Sequence, residues 1–264
     1  MTNLHLACRV DIGVRESNDD RALIHGRILN MEGCGGETGL PAVAVVCDGC
    51  GGYAGGGVAA ETVLSVLQEV SAENLADPEE LHAALEAARL AVMEKKEELP
   101  HFSAMCTTVA GCVFTETHTV IFHAGDSRVY RFDGSVLARM TVDHSVVQSM
   151  VNAGKLTEEE ALVSPQRNTI TRCIGTDSLP PEIYVSASPI APGETYLICS
   201  DGLWEYLRDD RLKEILAREL PPQELADKLV AEALLAGSDD NITACLCVCP
   251  GGKEKQEETA FVLD

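Results

Sequence analysis

Acidic residues recur where apolar runs stop. Asp48 follows Ala42–Cys47 and precedes Gly49, and Asp201 follows Thr195–Ser200 and precedes Gly202. Asp126 follows Thr119–Ala124 and Gly125, Asp240 stands just before Thr243–Cys249, and Asp19 and Asp20 stand just before Arg21–Leu29. The runs have strand length and are bounded by Gly, Asp, Pro or Ser. In antiparallel sheets the start of one strand lies beside the end of its neighbour, so all six carboxylates can gather at one end of the sheets. Carboxylates held close together raise one another's pKa. Hard divalent cations such as Mg²⁺ and Mn²⁺ prefer oxygen ligands and relieve that repulsion. Glycine after aspartate lets the backbone turn tightly and brings a carbonyl within reach of a cation. Asp-Gly is also a common turn, and spacing alone leaves both readings open.

The elements that must position these acids are short. Thr107–Phe114 and Val129–Phe132 add two more strand-like runs. Helical spacing sets Ala59, Ala60, Val63, Leu64 and Leu67 on one face of Val58–Val70. Leu81, Leu85, Ala88 and Val92 do the same in Glu79–Leu99, with Asp77-Pro78 as its start, and Gln223–Leu235 follows Pro221-Pro222. The two early helices are adjacent and most strands then come in series, without βαβ alternation. That order predicts an α+β fold with two packed antiparallel sheets and helices outside, not a doubly wound parallel sheet. There is no internal repeat and no long linker, and Gly251–Asp264 reads as a mobile tail.

Composition narrows the function. The chain has 264 residues, 45% of them hydrophobic, enough for one large domain with a sizeable core. Lys and Arg number 20 against 42 Asp and Glu, a net charge of −22. That balance argues against nucleic acid or an anionic membrane as partner, and it repels phosphate unless cations intervene. Met1–Val10 holds one basic residue, Arg9, and no apolar stretch of a signal peptide, and no apolar run approaches the length of a membrane span. Eleven cysteines in a chain of this size fit a reducing cytosol.

Cys47-x-x-Cys50 has the spacing of a redox pair or half a zinc site, but no second such motif exists and Asp-Gly fills its middle. A redox role would make Cys50, beside Asp48, a point of oxidation sensitivity. Cys245, Cys247 and Cys249 alternate along one strand, and core packing is their expected role. The glycine-rich Gly49–Gly57 lacks Gly-Lys-Ser/Thr and does not fit G-x-G-x-x-G, which argues against a nucleotide loop.

Seven segments in order carry a family resemblance: Arg15–Asp20, Cys47–Gly52, Thr107-Thr108, Gly125–Tyr130, Thr141–Ser145, Ser200–Trp204 and Ser238–Thr243. The chain resembles a metal-dependent Ser/Thr protein phosphatase of the type-2C (PPM) family, in its single-domain bacterial form, over roughly residues 4–249. The resemblance implies a four-layer α-β-β-α sandwich over residues 1–250, with 251–264 as tail. It implies two Mn²⁺ or Mg²⁺ ions, with room for a third. Asp48 matches the bridging ligand, Gly49 a carbonyl ligand, and Asp201 and Asp240 ligands of one metal. Asp19 matches an acid facing the other metal through water, and Asp20 an acid that orients a metal-held water. Asp126, with Asp201, matches a weaker third site, and Arg15 matches the arginine that grips phosphate, a task suited to a guanidinium fork.

The chemistry implied is hydrolysis of phosphoserine and phosphothreonine on proteins by metal-activated water, opposing a bacterial Ser/Thr kinase. The implied setting is a cytoplasmic monomer with no membrane insertion. Residues 145–175 resemble the family's flap, where Glu158–Glu160 read as a solvated helix start and His144 as a structural residue at the root. One departure is Cys50, which stands where eukaryotic members often carry a histidine proposed as general acid. Two rival readings are a phosphatase fold that only binds phosphoproteins, which the intact acids disfavour, and a stress-type phosphatase acting on antagonists of anti-sigma factors.

Overall fold

The structure, a computed structural model, describes residues 3–50 and 55–251. Gly51 and Gly52 of the Cys47–Gly52 segment, and the expected tail apart from Gly251, lie outside the described residues. The first part of the chain holds β1 (Leu4–Asp11), β2 (Arg21–Ile24), β3 (Arg27–Leu29), β4 (Gly33–Thr38), β5 (Ala42–Cys47) and β6 (Gly49–Cys50). Three helices follow, α1 (Gly55–Gln68), α2 (Ala72–Leu75) and α3 (Pro78–Glu98). Then come β7 (Cys106–Thr107), β8 (Val109–Phe114), β9 (Thr119–Ala124), β10 (Arg128–Phe132) and β11 (Leu137–Arg139). Helices α4 (Val146–Asn152) and α5 (Glu158–Leu162) lead to β12 (Glu182–Val185) and β13 (Thr195–Cys199). The chain closes with α6 (Asp201–Trp204), α7 (Asp209–Leu216), α8 (Pro222–Leu235) and β14 (Ile242–Val248).

Two six-stranded sheets form, in the orders β11-β10-β13-β14-β1-β4 and β12-β9-β8-β5-β2-β3, with a separate two-stranded ladder β6-β7. The pairings are antiparallel, as the element order predicts. Alternation along β5 shows how the layers are made. Ala42, Ala44 and Val46 face the other sheet, while Val45 and Cys47 face α1 and α3. On β14, Cys245 and Cys247 point between the sheets with Cys249 beyond, and Ile242, Ala244 and Leu246 point toward α7 and α8. Both faces of these strands are covered, so their sequences read as near-continuous apolar runs. Helices therefore cover both outer faces and give the α-β-β-α order. Emptying one central side chain of this packing, such as Leu64 or Leu229, costs about 2–5 kcal/mol.

The structure refines several expected elements. Arg21–Leu29 is a hairpin and not one strand, because His25 and Gly26 both take positive φ, 50° and 65°, and form a two-residue turn. Thr107–Phe114 is broken at Thr108, whose backbone and hydroxyl both bond Asp48. The Glu158–Glu160 run opens α5 under a Thr157–Glu160 capping box with its acids in solvent, as expected.

Candidate active site

The loops at one end of both sheets enclose a cleft of about 430 Å³ lined by Arg15, Asp19, Asp48, Gly49, Cys50, Asp126, Asp201, Asp240 and Asn241. Asn168 and Ile170 reach it from the segment between α5 and β12.

Asp48 leaves β5 under tight control. Its N–H donates to Thr108 Oγ1 at 3.0 Å, and its carbonyl accepts from Thr108 N at 2.8 Å and Thr107 Oγ1 at 3.0 Å. Gly49 then lies backbone to backbone on Gly56 of α1, where a Cβ on Gly49 would stand 2.2 Å from the Gly56 carbonyl. Glycine after Asp48 thus serves close helix packing besides the turn. The same holds after Asp201, where a Cβ on Gly202 would meet Asn241 O at 2.0 Å.

Asp240 accepts from Asn241 N at 2.8 Å on Oδ1 and from Arg15 Nη2 at 2.9 Å on Oδ2. Arg15 Nε also donates to Asp239 O at 2.7 Å. Asp126 follows Gly125, and its carbonyl accepts from Trp204 Nε1 at 3.0 Å. The Arg128 guanidinium lies 3.3 Å over the Trp204 ring and forks onto Asp143 at 2.9 and 2.6 Å.

Asp19 is held from both sides: its N–H donates to Asn241 Oδ1 at 2.8 Å, and its Oδ1 accepts from Gly57 N at 3.1 Å. Asp20 lies below the cleft lining, 1% exposed, with Ser200 Oγ and Thr243 Oγ1 both donating to Oδ2 at 2.7 Å.

Crowding and burial raise the carboxyl groups of Asp20, Asp48, Asp126, Asp201 and Asp240 together. Burial first, then the charge of Asp201 and the other acids, lifts Asp48 well above the carboxylate range, and burial with Asp126 and Asp240 does the same to Asp201. Asp20 and Asp126 are each pushed up to about 7, chiefly by burial. Asp240 is raised as well, again mainly by burial, against the pull of Asn241 N–H and Arg15. Among the described residues, Asp201 Oδ1 is buried with no hydrogen-bond partner. A buried carboxylate oxygen left bare beside several others is the donor set a hard divalent cation requires.

The structure brings the expected acids to one end, with Asp20 beneath the cleft instead of in its wall. Sequence reasoning missed Asn241. Its Nδ2 donates to Ile12 O and Ser17 O, both at 2.9 Å, so one side chain ties down the whole loop that carries Arg15 and Asp19. Ser200 and Thr243 were missed as the partners of Asp20. The available signal was that all three adjoin motif acids or strand ends.

Another tight group of ligand-type atoms is His123, His144 and Glu182, all within 4.8 Å. The two rings stack at 4.4 Å. His144 Nδ1 accepts from Gly125 N at 3.2 Å, which leaves the proton on Nε2, facing Glu182 Oε1 at 3.2 Å. Arg172 Nη1 holds the same Glu182 oxygen at 3.0 Å. The Gly125 bond to His144 and the stacked His123 ring make the group a brace for the Gly125–Asp126 turn.

Residues 33–234 match the family described as Protein phosphatase 2C. The chain belongs to the protein phosphatase 2C family. The serine/threonine phosphatase stp of Listeria monocytogenes is 28% identical over 253 residues, 92% of this chain and 95% of that one. The crystal structure of the Mycobacterium tuberculosis serine/threonine phosphatase PstP/Ppp aligns with a TM-score of 0.80 at 31% identity, covering 94% of this chain and 99% of that one. The catalytic domain of PstP in complex with two manganese ions aligns at 0.77 and 30% identity, over 94% and 99%. This protein phosphatase 2C chain is accordingly a metal-dependent serine/threonine phosphatase built on two antiparallel sheets flanked by helices.

Proposed function

We propose that the cleft hydrolyses phosphoserine and phosphothreonine on proteins with two divalent cations, Mn²⁺ or Mg²⁺. Asp48 would bridge them, the Gly49 carbonyl and Asp19 would serve one, and Asp201 and Asp240 the other. Asp126 with Asp201 would hold a third, weaker ion. The observation that carries this reading is the bare, buried Asp201 Oδ1 beside Asp48, Asp126 and Asp240, whose carboxyl pKa values are raised. The relative crystallised with two manganese ions supports the choice of metal. Bound cations would supply positive charge to the phosphoryl oxygens and acidify a water for in-line attack.

The chain's own groups do the rest. Arg15, at the cleft mouth, spends Nε and Nη2 on Asp239 and Asp240 and keeps Nη1 for a substrate phosphate. Both hydroxyl bonds to Asp20 fall on Oδ2, which leaves Oδ1 to orient a water at the floor. Asn241 fixes the distance between the Arg15 loop and Asp240. A second groove, about 780 Å³, meets the cleft at Asp126 and is lined by Val147, Ala161, Arg167, Trp204 and Arg208. Residues 145–175 act as the flap over this groove, through which the substrate chain would run.

The phosphatase domain spans 1–250 with a tail at 251–264. The enzyme works as a cytoplasmic monomer against a bacterial Ser/Thr kinase. Support for the setting is that all eleven cysteines are free and that, among the described residues, no helix is long and apolar enough to cross a membrane. The test is release of phosphate from phosphothreonine peptides and p-nitrophenyl phosphate. Turnover should require Mn²⁺ or Mg²⁺, stop with EDTA and vanish in Asp48→Asn. Purified protein that binds phosphopeptides without metal-dependent turnover would defeat this reading.

A further inference from the structure

The fold makes a thiol cluster that no sequence spacing announces. Cys47 and Cys50 do not form the pair their spacing suggests, because Cys47 is sealed between β5 and the helices. Cys50 instead stands opposite Cys106 in the β6-β7 ladder. An isolated bridge between Thr107 and Ile174 brings the segment of Cys173 alongside that of Cys106. The three residues form a row with Cys106 in the middle.

Access and charge mark this row out. Cys50 lines the cleft beside Asp48, with its Sγ 3.9 Å from the Asp48 carbonyl oxygen. Cys173 is 8% exposed at the inner end. Lys96 anchors there on Gly175 O and brings a positive charge to that end. A second row, Cys34–Cys8–Cys245, is also in register across β4, β1 and β14, but Cys8 and Cys245 are wholly buried between the sheets. The two rows have the same chemistry and differ in access.

We propose that Cys50, Cys106 and Cys173 are an oxidative modification site at the rim of the catalytic cleft, in which a hydroperoxide converts Cys50 and Cys106 to a disulfide. The Cys50 thiolate attacks the peroxide. An S–O bond forms, the O–O bond breaks, and the departing oxygen leaves as water (from an alkyl hydroperoxide, as the alcohol). The Cys106 thiolate then attacks the sulfenic sulfur. The S–S bond forms, the S–O bond breaks, and a second water leaves. The two thiols lose two electrons and two protons, and peroxide takes both. Exchange with Cys173 passes the disulfide to Cys106–Cys173 and returns Cys50 to the thiol. The reaction is followed over minutes to hours.

The test treats the full chain with hydrogen peroxide, alkylates the remaining thiols and maps peptides by mass spectrometry. The expected result is loss of two of the eleven thiols, with Cys106 joined to Cys50 or to Cys173 and Cys8, Cys245 and Cys247 still free. Phosphatase turnover should fall at least fivefold and recover with dithiothreitol. Cys106→Ser should keep basal turnover, form no such disulfide and show a dimedone-trapped sulfenic acid at Cys50. First oxidation in the Cys34–Cys8–Cys245 row, or eleven intact thiols, would overturn the site. A mapped disulfide with unchanged turnover would overturn its coupling to the cleft. The mapping reads the modification without activity, so a failed phosphatase assay does not decide it.

Discussion

Asp20 and Asp201 are aspartates at the same end of the sandwich, yet they are finished differently. Asp20 sits on the floor with two hydroxyls donating to one oxygen. Asp201 sits in the wall with an oxygen that nothing in the described protein satisfies. The hydroxyls lower the pKa of Asp20 against its burial, while every cause named for Asp201 raises it. The hydroxyl pair fixes the position of Asp20, while the bare oxygen of Asp201 is open to a ligand the chain does not supply.

The most severe way to separate the two is Asp201→Asn. Turnover with saturating Mn²⁺ should fall by about a thousandfold or more, the scale set by losing metal-derived charge stabilisation. Its melting temperature in EDTA should equal or exceed that of the wild type, because the crowded group of acids has lost one member. Near-normal turnover, or a drop in EDTA melting temperature of several degrees, would break the contrast.

The pH dependence of stability comes next. The folded protein holds protons on Asp20 and Asp126 up to about 7, against 3.8 for the ordinary carboxyl group. Folded pKa values above unfolded ones mean that these groups cost nothing at low pH, and that stability falls as pH rises from about 4 to about 7. Melting curves in EDTA should show that decline, and excess Mn²⁺ should flatten it. An EDTA profile that rises through this window would be the contrary result.

Two smaller effects probe the frame. Asn241→Ala removes three hydrogen bonds from the Arg15 loop and should cost about 2–3 kcal/mol. It should also raise KM for p-nitrophenyl phosphate several-fold, which loss of stability alone would not do. Thr243→Val removes one of the two hydroxyls on Asp20 and should cost about 1 kcal/mol, read as a melting shift of roughly 2–4 °C, with turnover per folded molecule changed less than tenfold. A thousandfold loss there would place Asp20 in the wall after all.

Much of this was legible in the sequence because both faces of the central strands are covered. Ala42–Cys47, Thr119–Ala124 and Thr195–Cys199 appear in the structure with the bounds their apolar runs predict. Gly33–Thr38 was not legible: it is an exposed edge strand with no apolar alternation, and only its register against β1 makes it a strand. The acids were legible as strand-end punctuation. Their partners were not, since Ser200 and Thr243 find Asp20 across more than 175 residues of chain. The Cys50–Cys106–Cys173 row was hidden for the same reason, because the β6-β7 ladder that assembles it has two residues per strand.

Trp204 is the chain's single tryptophan, and its indole N–H rests on the carbonyl of Asp126 beneath the Arg128 guanidinium. The molecule therefore carries one indole fluorophore, wired to one wall of its cleft. Any event that shifts Asp126 alters the dipole and the cation seen by that indole, and its emission, excited selectively over the five tyrosines, becomes a label-free optical gauge of the cleft with no second tryptophan to subtract.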